Sequence, residues 1–424
     1  MNEWDMEYLG VMADMAGCPN RCRHCWLGSQ PNGKMTTEDF RGIARQFAAW
    51  RDENDNGIRQ LGFFSWWREP DYQDNYKELW KLEQELSSPG RAMRFELLSV
   101  WRLARDPSYA KWAATLEPKK CQISFFGMES ATDWGCRRKG AYADNLLATE
   151  RLLEVGMTPR WQLFLTKPWL CDLNGFLRLI CELKLQKRCE AIGHNFEVFI
   201  GGISPEGNGF EIDQLRIDKE DLAFIPSSLI DICREGINLL GQPEHELLGL
   251  MATEDSPPNI SANTPCVSIN AAFDVYPNIA EPTQWWHLGN LRTDGIDVVM
   301  ERYINQSTPG MKANREIPLC TLASRYGDHA KAKSCTAETI SFADLCISRV
   351  QNILRMGKFL YNFFRFPIYS NLEFKRSRHF VTFLLMFYTR MRHDFPCRVG
   401  LYPPNSKPDR KMFLQTSISN SSKI

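Results

Sequence analysis

The sequence has no long hydrophobic run. In its 424 residues the nearest approach, Phe380 to Tyr388, is far short of the roughly eighteen apolar residues that a membrane-spanning helix needs. Neither sign of charge is in excess, with 51 Lys and Arg against 51 Asp and Glu, so the whole-chain balance points to neither nucleic acid nor a membrane surface as a partner. Met1-Asn2-Glu3-Trp4-Asp5 lacks the basic flank and apolar stretch of a secretory signal, and a cytoplasmic location is expected. No P-loop, Gly-rich dinucleotide fingerprint or HExxH is found. Histidine is scarce, seven scattered residues with no ligand pair at helical spacing. Tryptophan stops at Trp286, the last of thirteen.

What remains is an ordinary globular composition, 43% hydrophobic and 24% charged, at a length that fits one large domain plus an appendage. Fourteen cysteines in a chain without an export signal do not read as a disulfide framework, because a reducing compartment keeps thiols free. Most are expected to be small buried hydrophobes. A tight cluster of them is a candidate metal site.

Short apolar runs alternate with longer amphipathic ones over the first two hundred residues. Strands are expected at Tyr8–Ala13, Ile58–Ser65, Met93–Val100, Cys121–Phe126, Arg160–Thr166 and Phe196–Ile200. Helices are expected at Thr37–Asp52, Asn75–Leu86, Pro107–Thr115, Ala143–Val155 and Leu173–Cys189. The first helix is announced by Thr36-Thr37-Glu38-Asp39, a capping residue followed by acids that suit a helix N-terminus. Such alternation predicts an α/β fold with a parallel sheet, and six βα repeats fit a partial (β/α)6 TIM-like barrel better than a doubly wound sheet. In a parallel barrel, chemistry gathers at the C-terminal strand ends.

The pattern changes near residue 204, where Pro205-Glu206-Gly207-Asn208-Gly209 reads as a loop leaving the last barrel strand. The expected organisation is a core over 1–204, a smaller α+β C-terminal extension over 205–335, and a tail over 336–424. The tail carries 14 Lys and Arg against 5 Asp and Glu and holds 11 of the 25 Phe. Its basic and apolar residues are not sorted onto helical faces, so no function is placed on it.

The sharpest feature is Cys18-Pro-Asn-Arg-Cys22-Arg-His-Cys25, followed at once by Trp26. Three thiols at spacings of four and three reach one inorganic centre from a single loop, directly after the first expected strand. Thiolates suit soft metals and iron–sulfur clusters, and a [4Fe–4S] cluster on three cysteines keeps one iron free for a small molecule. A structural zinc site wants four ligands, for which His24 is the available fourth. Buried, unliganded cysteines are the remaining alternative.

This motif resembles the C-x3-C-x2-C signature of the radical S-adenosylmethionine superfamily, matched by Cys18, Cys22 and Cys25 with Trp26 as the adjacent aromatic. Ser65-Trp66-Trp67-Arg68-Glu69-Pro70, after the second strand, resembles the family's Gly-Gly-Glu-Pro segment with only Glu-Pro kept. The resemblance implies that Glu69 and Pro70 meet the methionine ammonium of S-adenosyl-L-methionine, and a carboxylate suits that task. It likewise implies a ribose contact for Ser124 in Ile123-Ser124-Phe125-Phe126-Gly127-Met128-Glu129, with Glu129 near the strand's mouth. Gly201 in Phe199-Ile200-Gly201-Gly202 would allow the adenine close to the backbone. Trp26, Trp66, Trp67 and Trp101 would wall the pocket.

Cys266-Val-Ser-Ile-Asn-Ala-Ala-Phe-Asp-Val-Tyr-Pro-Asn278, with Leu288-Gly289-Asn290-Leu291, is similar to the SPASM or twitch extension of that superfamily. Asn278 stands where a cluster cysteine would, and no C-x2-C pair follows Cys25. Cys266, Cys320 and Cys335 therefore read as a scaffold whose auxiliary cluster is lost, and Cys171, Cys181 and Cys189 as packing. The chemistry implied is reductive cleavage of S-adenosylmethionine to a 5′-deoxyadenosyl radical that abstracts hydrogen from the substrate. The implied partners are an electron donor such as flavodoxin or ferredoxin and a peptide or peptide-derived substrate. A small molecule such as a sugar or amino alcohol is the alternative substrate, and a non-catalytic iron–sulfur or S-adenosylmethionine-binding protein the alternative class.

Overall fold

The structure, a computed structural model, describes residues 6–92, 96–117, 119–204, 206–233, 244–257, 265–277 and 282–326. Asn278, Cys335 and the whole tail over 336–424 lie outside the described residues. The chain divides at Ile353/Leu354, and every described residue belongs to the first unit.

Strand β1 (Tyr8–Ala13) is buried from Leu9 onward, as a parallel strand covered on both faces must be. Helix α1 (Thr37–Ala49) begins where the sequence predicts: the Thr36 side chain accepts from the Asp39 N–H while Asp39 accepts from the Thr36 N–H, a complete capping box. Its Phe40, Ile43, Ala44 and Phe47 form one apolar stripe against the sheet. Strand β2 (Gln60–Phe64) returns parallel to β1 in the register Val11 to Phe63, and α2 (Tyr76–Leu86) follows.

The strand expected at Met93–Val100 is not formed over its described part. Residues 93–95 are outside the described set. Val100 already opens helix α3 (Val100–Arg105), because the Ser99 hydroxyl accepts from the Arg102 N–H and turns the chain into the helix. Glu96 alone keeps a strand-like contact, its carbonyl accepting from the Gln122 N–H at 2.8 Å. Helix α4 (Pro107–Ala113) starts on Pro107 behind an Asp106 cap.

Strands β3 (Lys120–Phe125), β4 (Thr158–Phe164) and β5 (Glu197–Gly201) form a second, all-parallel sheet, linked by α5 (Glu129–Cys136), α6 (Ala141–Glu154), α7 (Leu173–Glu182) and α8 (Leu185–Ala191). On β3, Cys121, Ile123 and Phe125 are buried with Ala148 and Leu152 of α6, while Gln122 and Ser124 point the other way. The single helix expected over Leu173–Cys189 is two, broken at Lys184, which takes a left-handed conformation (φ 53°).

The core strands thus fall into two sheets, one with β1 and β2 and one with β3-β4-β5, and the described residues contain no closed barrel. No described strand lies between β2 and β3, the gap in which the missing strand was expected. What fills the other edge of β1 comes from far along the chain. Strand β6 (Cys266–Ile269) pairs parallel with β1, Val11 opposite Val267, and continues as a hairpin into β7 (Asp274–Pro277) and the short β8 (Gly289–Asn290). Val267, Ile269, Phe273 and Val275 share one core with Val11, Phe40 and Phe63. No helix among the described residues is long and apolar enough to cross a membrane.

Candidate functional site

The loop between β1 and α1 carries the three motif cysteines, and its root is held by charge. Asp14, buried at the end of β1, accepts from the Gly17 N–H at 3.0 Å and pairs with Arg68 at 2.6 Å, both side chains about 5% exposed. Arg68 also donates to the carbonyls of Gln30 and Pro31 at 2.9 and 3.2 Å. One guanidinium from the end of β2 therefore grips both ends of the loop that leaves β1.

Inside the loop, Asn32 exchanges hydrogen bonds with the backbone N–H and carbonyl of Cys18. Gly17 must be glycine, since its φ is 80° and a Cβ there would collide with the Asn32 side chain. The far side of the loop is stitched to the end of α5, where the Arg21 and Arg23 N–H groups donate to the carbonyls of Cys136 and Gly135 at 3.3 and 2.8 Å. These bonds satisfy carbonyls that a helix C-terminus leaves open. They also bring the Cys136 thiol into hydrogen-bond contact with Cys22.

Cys18, Cys22 and Cys25 line one cavity of about 230 Å³ together with Glu69, Pro70, Ser124, Arg138 and the rim residue Trp26. Residues from three different strand ends thus meet at one place. Glu69 Oε1 accepts from the Ser99 hydroxyl at 2.8 Å, and the Trp101 N–H also faces the carboxylate. Burial outweighs these donors and pushes the Glu69 carboxyl up to about 7. Arg138 reaches Asp144 at 2.5 Å and Asn20 Oδ1 at 2.6 Å. Opposite the loop, Gln122, Ser124 and Asn145 make a polar wall, with the Asn145 amide donating to the Ser124 carbonyl at 2.7 Å.

The other expectations fall differently. Glu129 is exposed in the first turn of α5 and does not line the cavity. Gly201 ends β5 opposite Phe164, also outside the lining. Trp66 and Trp67 are buried behind the loop, packed with Met12, Leu27, Phe64 and Cys25, whereas Trp101 packs edge-on to Tyr72. Cys266 sits in the sheet opposite Gly10, and Cys320 donates to Asp255. Arg138, Cys136 and Asn145 were not legible as site residues, since each belongs to a helix or turn whose sequence shows only packing and capping.

Burial is the first cause of the high thiol pKa values of Cys18 and of Cys25, the latter pushed up to about 11. Contact with Cys136 comes first for Cys22. Repulsion from Glu69 and from Cys22 and Cys25 adds at Cys18, from Cys22 at Cys25, and from Cys136 and Glu69 at Cys22. Such a site opposes three bare thiolates and favours a cationic centre that takes the protons' place. No three His, Cys, Asp or Glu side chains among the described residues converge closely enough to hold one metal ion. His24 packs against Phe126 and Phe164 at ring distances of 4.8 and 4.1 Å, its pKa lowered to about 4 by burial. A mononuclear zinc site with His24 as fourth ligand does not fit this arrangement. Three soft thiols spread around a cavity fit an iron–sulfur cluster, in which each thiolate binds its own iron.

No family model and no curated protein matches the chain. Solved structures resemble it at low identity. One is native anSMEcpe with bound AdoMet (14% identity, 83% of this chain and 100% of that chain, TM-score 0.46). Another is SuiB of Streptococcus suis bound to precursor peptide SuiA (14%, 73% and 67%, TM-score 0.44). A third is BtrN in complex with AdoMet and 2-DOIA (10%, 72% and 88%, TM-score 0.21). At these scores the likeness decides nothing about chemistry, which has to come from the chain's own residues.

Proposed function

We propose that this protein is a radical S-adenosylmethionine enzyme, with Cys18, Cys22 and Cys25 holding one [4Fe–4S] cluster and the adjoining cavity holding S-adenosyl-L-methionine. The observation that carries this reading is the meeting of the three motif thiols with Glu69 and Pro70, from a different strand end, around one cavity. When bound, the cluster and S-adenosylmethionine together supply reductive carbon–sulfur cleavage and the 5′-deoxyadenosyl radical. The protein's part is to place and to exclude. Glu69, already held by Ser99 and Trp101, accepts from the ammonium of the methionine moiety. Arg138 supplies positive charge for its carboxylate. Ser124, on the cavity wall, would meet a ribose hydroxyl, and Trp26, at the rim, would close the site. Glu129 and Gly201 take no part in this reading.

The substrate in this reading is a peptide or peptide-derived natural product, supported by the resemblance of the Cys266–Asn278 and Leu288–Leu291 segments to the SPASM or twitch extension. A flavodoxin or ferredoxin would deliver the electron. The βα order of the core supports a partial barrel of the radical S-adenosylmethionine type.

The test is anaerobic reconstitution with iron and sulfide, reduction with dithionite, and assay of S-adenosylmethionine cleavage beside a Cys22→Ala variant. The expected result is about four irons per chain and 5′-deoxyadenosine formation, both lost in the variant. A cluster without cleavage moves the protein to the binding class, and failure to take up iron ends the reading.

A further inference from the structure

Outside the cavity lining, one residue touches the cysteine loop more closely than any sequence pattern foretells. Asn208 lies near the start of the 3-10 helical segment Gly207–Leu215 that follows β5, only 6% exposed, and makes three hydrogen bonds to the loop that leaves β1. Its backbone N–H donates to the Cys25 carbonyl at 2.9 Å, and its Nδ2 donates to the Cys22 carbonyl at 3.0 Å. Its Oδ1 accepts from the Ser29 hydroxyl at 3.0 Å. Two of the three ligand residues are thus held by their own carbonyls from a point more than 180 residues away.

Gly207 makes this grip attainable. Its φ of 52° is left-handed, and a Cβ there would stand against the Trp26 and Cys25 carbonyl oxygens, the latter at 2.5 Å. Only glycine lets the two backbones approach this closely. Gly207-Asn208, which as sequence belongs to an ordinary turn, therefore has a second duty.

We infer that Asn208, seated by Gly207, is a positioning residue that holds the cysteine loop in its ligating form and tunes the cluster through the Cys25 turn. This rests on the proposed cluster. The route is geometric. Peptide groups are planar, so fixing the Cys25 carbonyl fixes the plane that leads into Trp26. The turn that follows is closed by Gly28 N–H to Cys25 O at 3.0 Å, and within it the Leu27 and Gly28 N–H groups face the Cys25 sulfur. Hydrogen bonds to ligand sulfurs set cluster potential, and outer residues that orient ligands carry much of a site's affinity. Loss of the Asn208 side chain releases the Cys22 carbonyl, whereas a side chain at 207 displaces the Cys25 carbonyl and with it the N–H donors to the Cys25 sulfur.

The test uses the full chain, reconstituted anaerobically with ferrous iron and sulfide, as wild type, Asn208→Asp, Asn208→Ala and Gly207→Ala. Iron content, iron release to a chelator, the reduction potential of the cluster and thermal unfolding of the iron-free chain are measured on each. Asn208→Ala removes the Nδ2 donor to the Cys22 carbonyl without adding charge, and Asn208→Asp removes it while keeping the Ser29 contact. Both are expected to release iron roughly 10- to 100-fold faster. Gly207→Ala, which pushes on the Cys25 and Trp26 carbonyls instead, is expected to speed release and also to shift the potential to more negative values. Wild-type release in Asn208→Ala would overturn the inference, and so would an unchanged potential in Gly207→Ala with a lowered melting temperature. Wild type that takes up no iron overturns the proposed cluster itself, whatever the variants do.

Discussion

The two sheets were built by different rules. In β3-β4-β5 each strand pairs with its neighbour in sequence, and its helices pack back over it, so Trp161, Phe125, Phe176 and Leu152 meet within about sixty residues of chain. In the other sheet β1 is flanked by β2 on one side and on the other by β6, which arrives some 250 residues later. The difference matters because the cysteine loop leaves from β1. Its first residue, Asp14, donates its N–H to the carbonyl of Ile269 at the end of β6. The locally built sheet supplies a fixed polar wall of Gln122 and Ser124, while the assembled sheet carries the three-cysteine loop and needs distant segments to hold it.

The strongest challenge to this comparison is Arg68→Ala. It leaves Asp14 buried without its counter-charge and frees the Gln30 and Pro31 carbonyls. A loss of about 3–5 kcal/mol is expected for breaking a buried pair from one side, read as a shift in urea unfolding of the iron-free chain. Equal stability of the variant would mean that the loop is not anchored through this pair.

Next come two core truncations of similar chemistry in the two sheets. Ile269→Ala and Leu163→Ala, each at a position with no exposed surface, should each cost roughly 2–5 kcal/mol. Only Ile269→Ala should also slow iron uptake, since the lost side chain loosens the end of β6, whose Ile269 carbonyl holds Asp14 at the root of the loop. An equal effect of both on iron uptake would erase the distinction between the sheets.

The smallest expected effect is on pH. Burial raises the Glu69 carboxyl to about 7, so its contribution to the stability of the iron-free chain is fully present below the ordinary value near 4.5 and is lost as pH rises through 7. Binding of an ammonium needs the ionised form and therefore tightens over the same window. S-adenosylmethionine should bind the reconstituted chain about tenfold more tightly at pH 8 than at pH 6, by calorimetry, and Glu69→Gln should remove that dependence. A pH-independent wild type would take Glu69 away from the ammonium.

Much of this was legible from local pattern. The Thr36 capping box, the strands at Tyr8, Cys121 and Phe196 and the three-cysteine motif all rest on contacts within a few residues, and such contacts leave periodicities in a sequence. The expected strand at Met93–Val100 shows the limit. Its apolar character suits a strand, but the Ser99 hydroxyl also caps a helix while it holds Glu69, and the helix begins at Val100. Glu129 lies outside the cavity lining for a related reason. A carboxylate following a strand looks poised at a barrel mouth, yet the first turn of α5 carries it outward.

The sequence by itself determined which atoms are available: three soft thiols spaced to share one centre, a Glu-Pro after the second strand, and helices whose apolar stripes seek a sheet. Those depend on residue chemistry and on spacing along a few turns of chain. Tertiary structure alone decided that β6 would close the edge of β1, that Arg68 would lie buried against Asp14, and that Asn208 would reach the Cys22 and Cys25 carbonyls. Each of these joins groups dozens to hundreds of residues apart. A hydrogen bond at 3 Å across such a separation leaves no period in the sequence, because it depends on the whole path of the backbone between its ends.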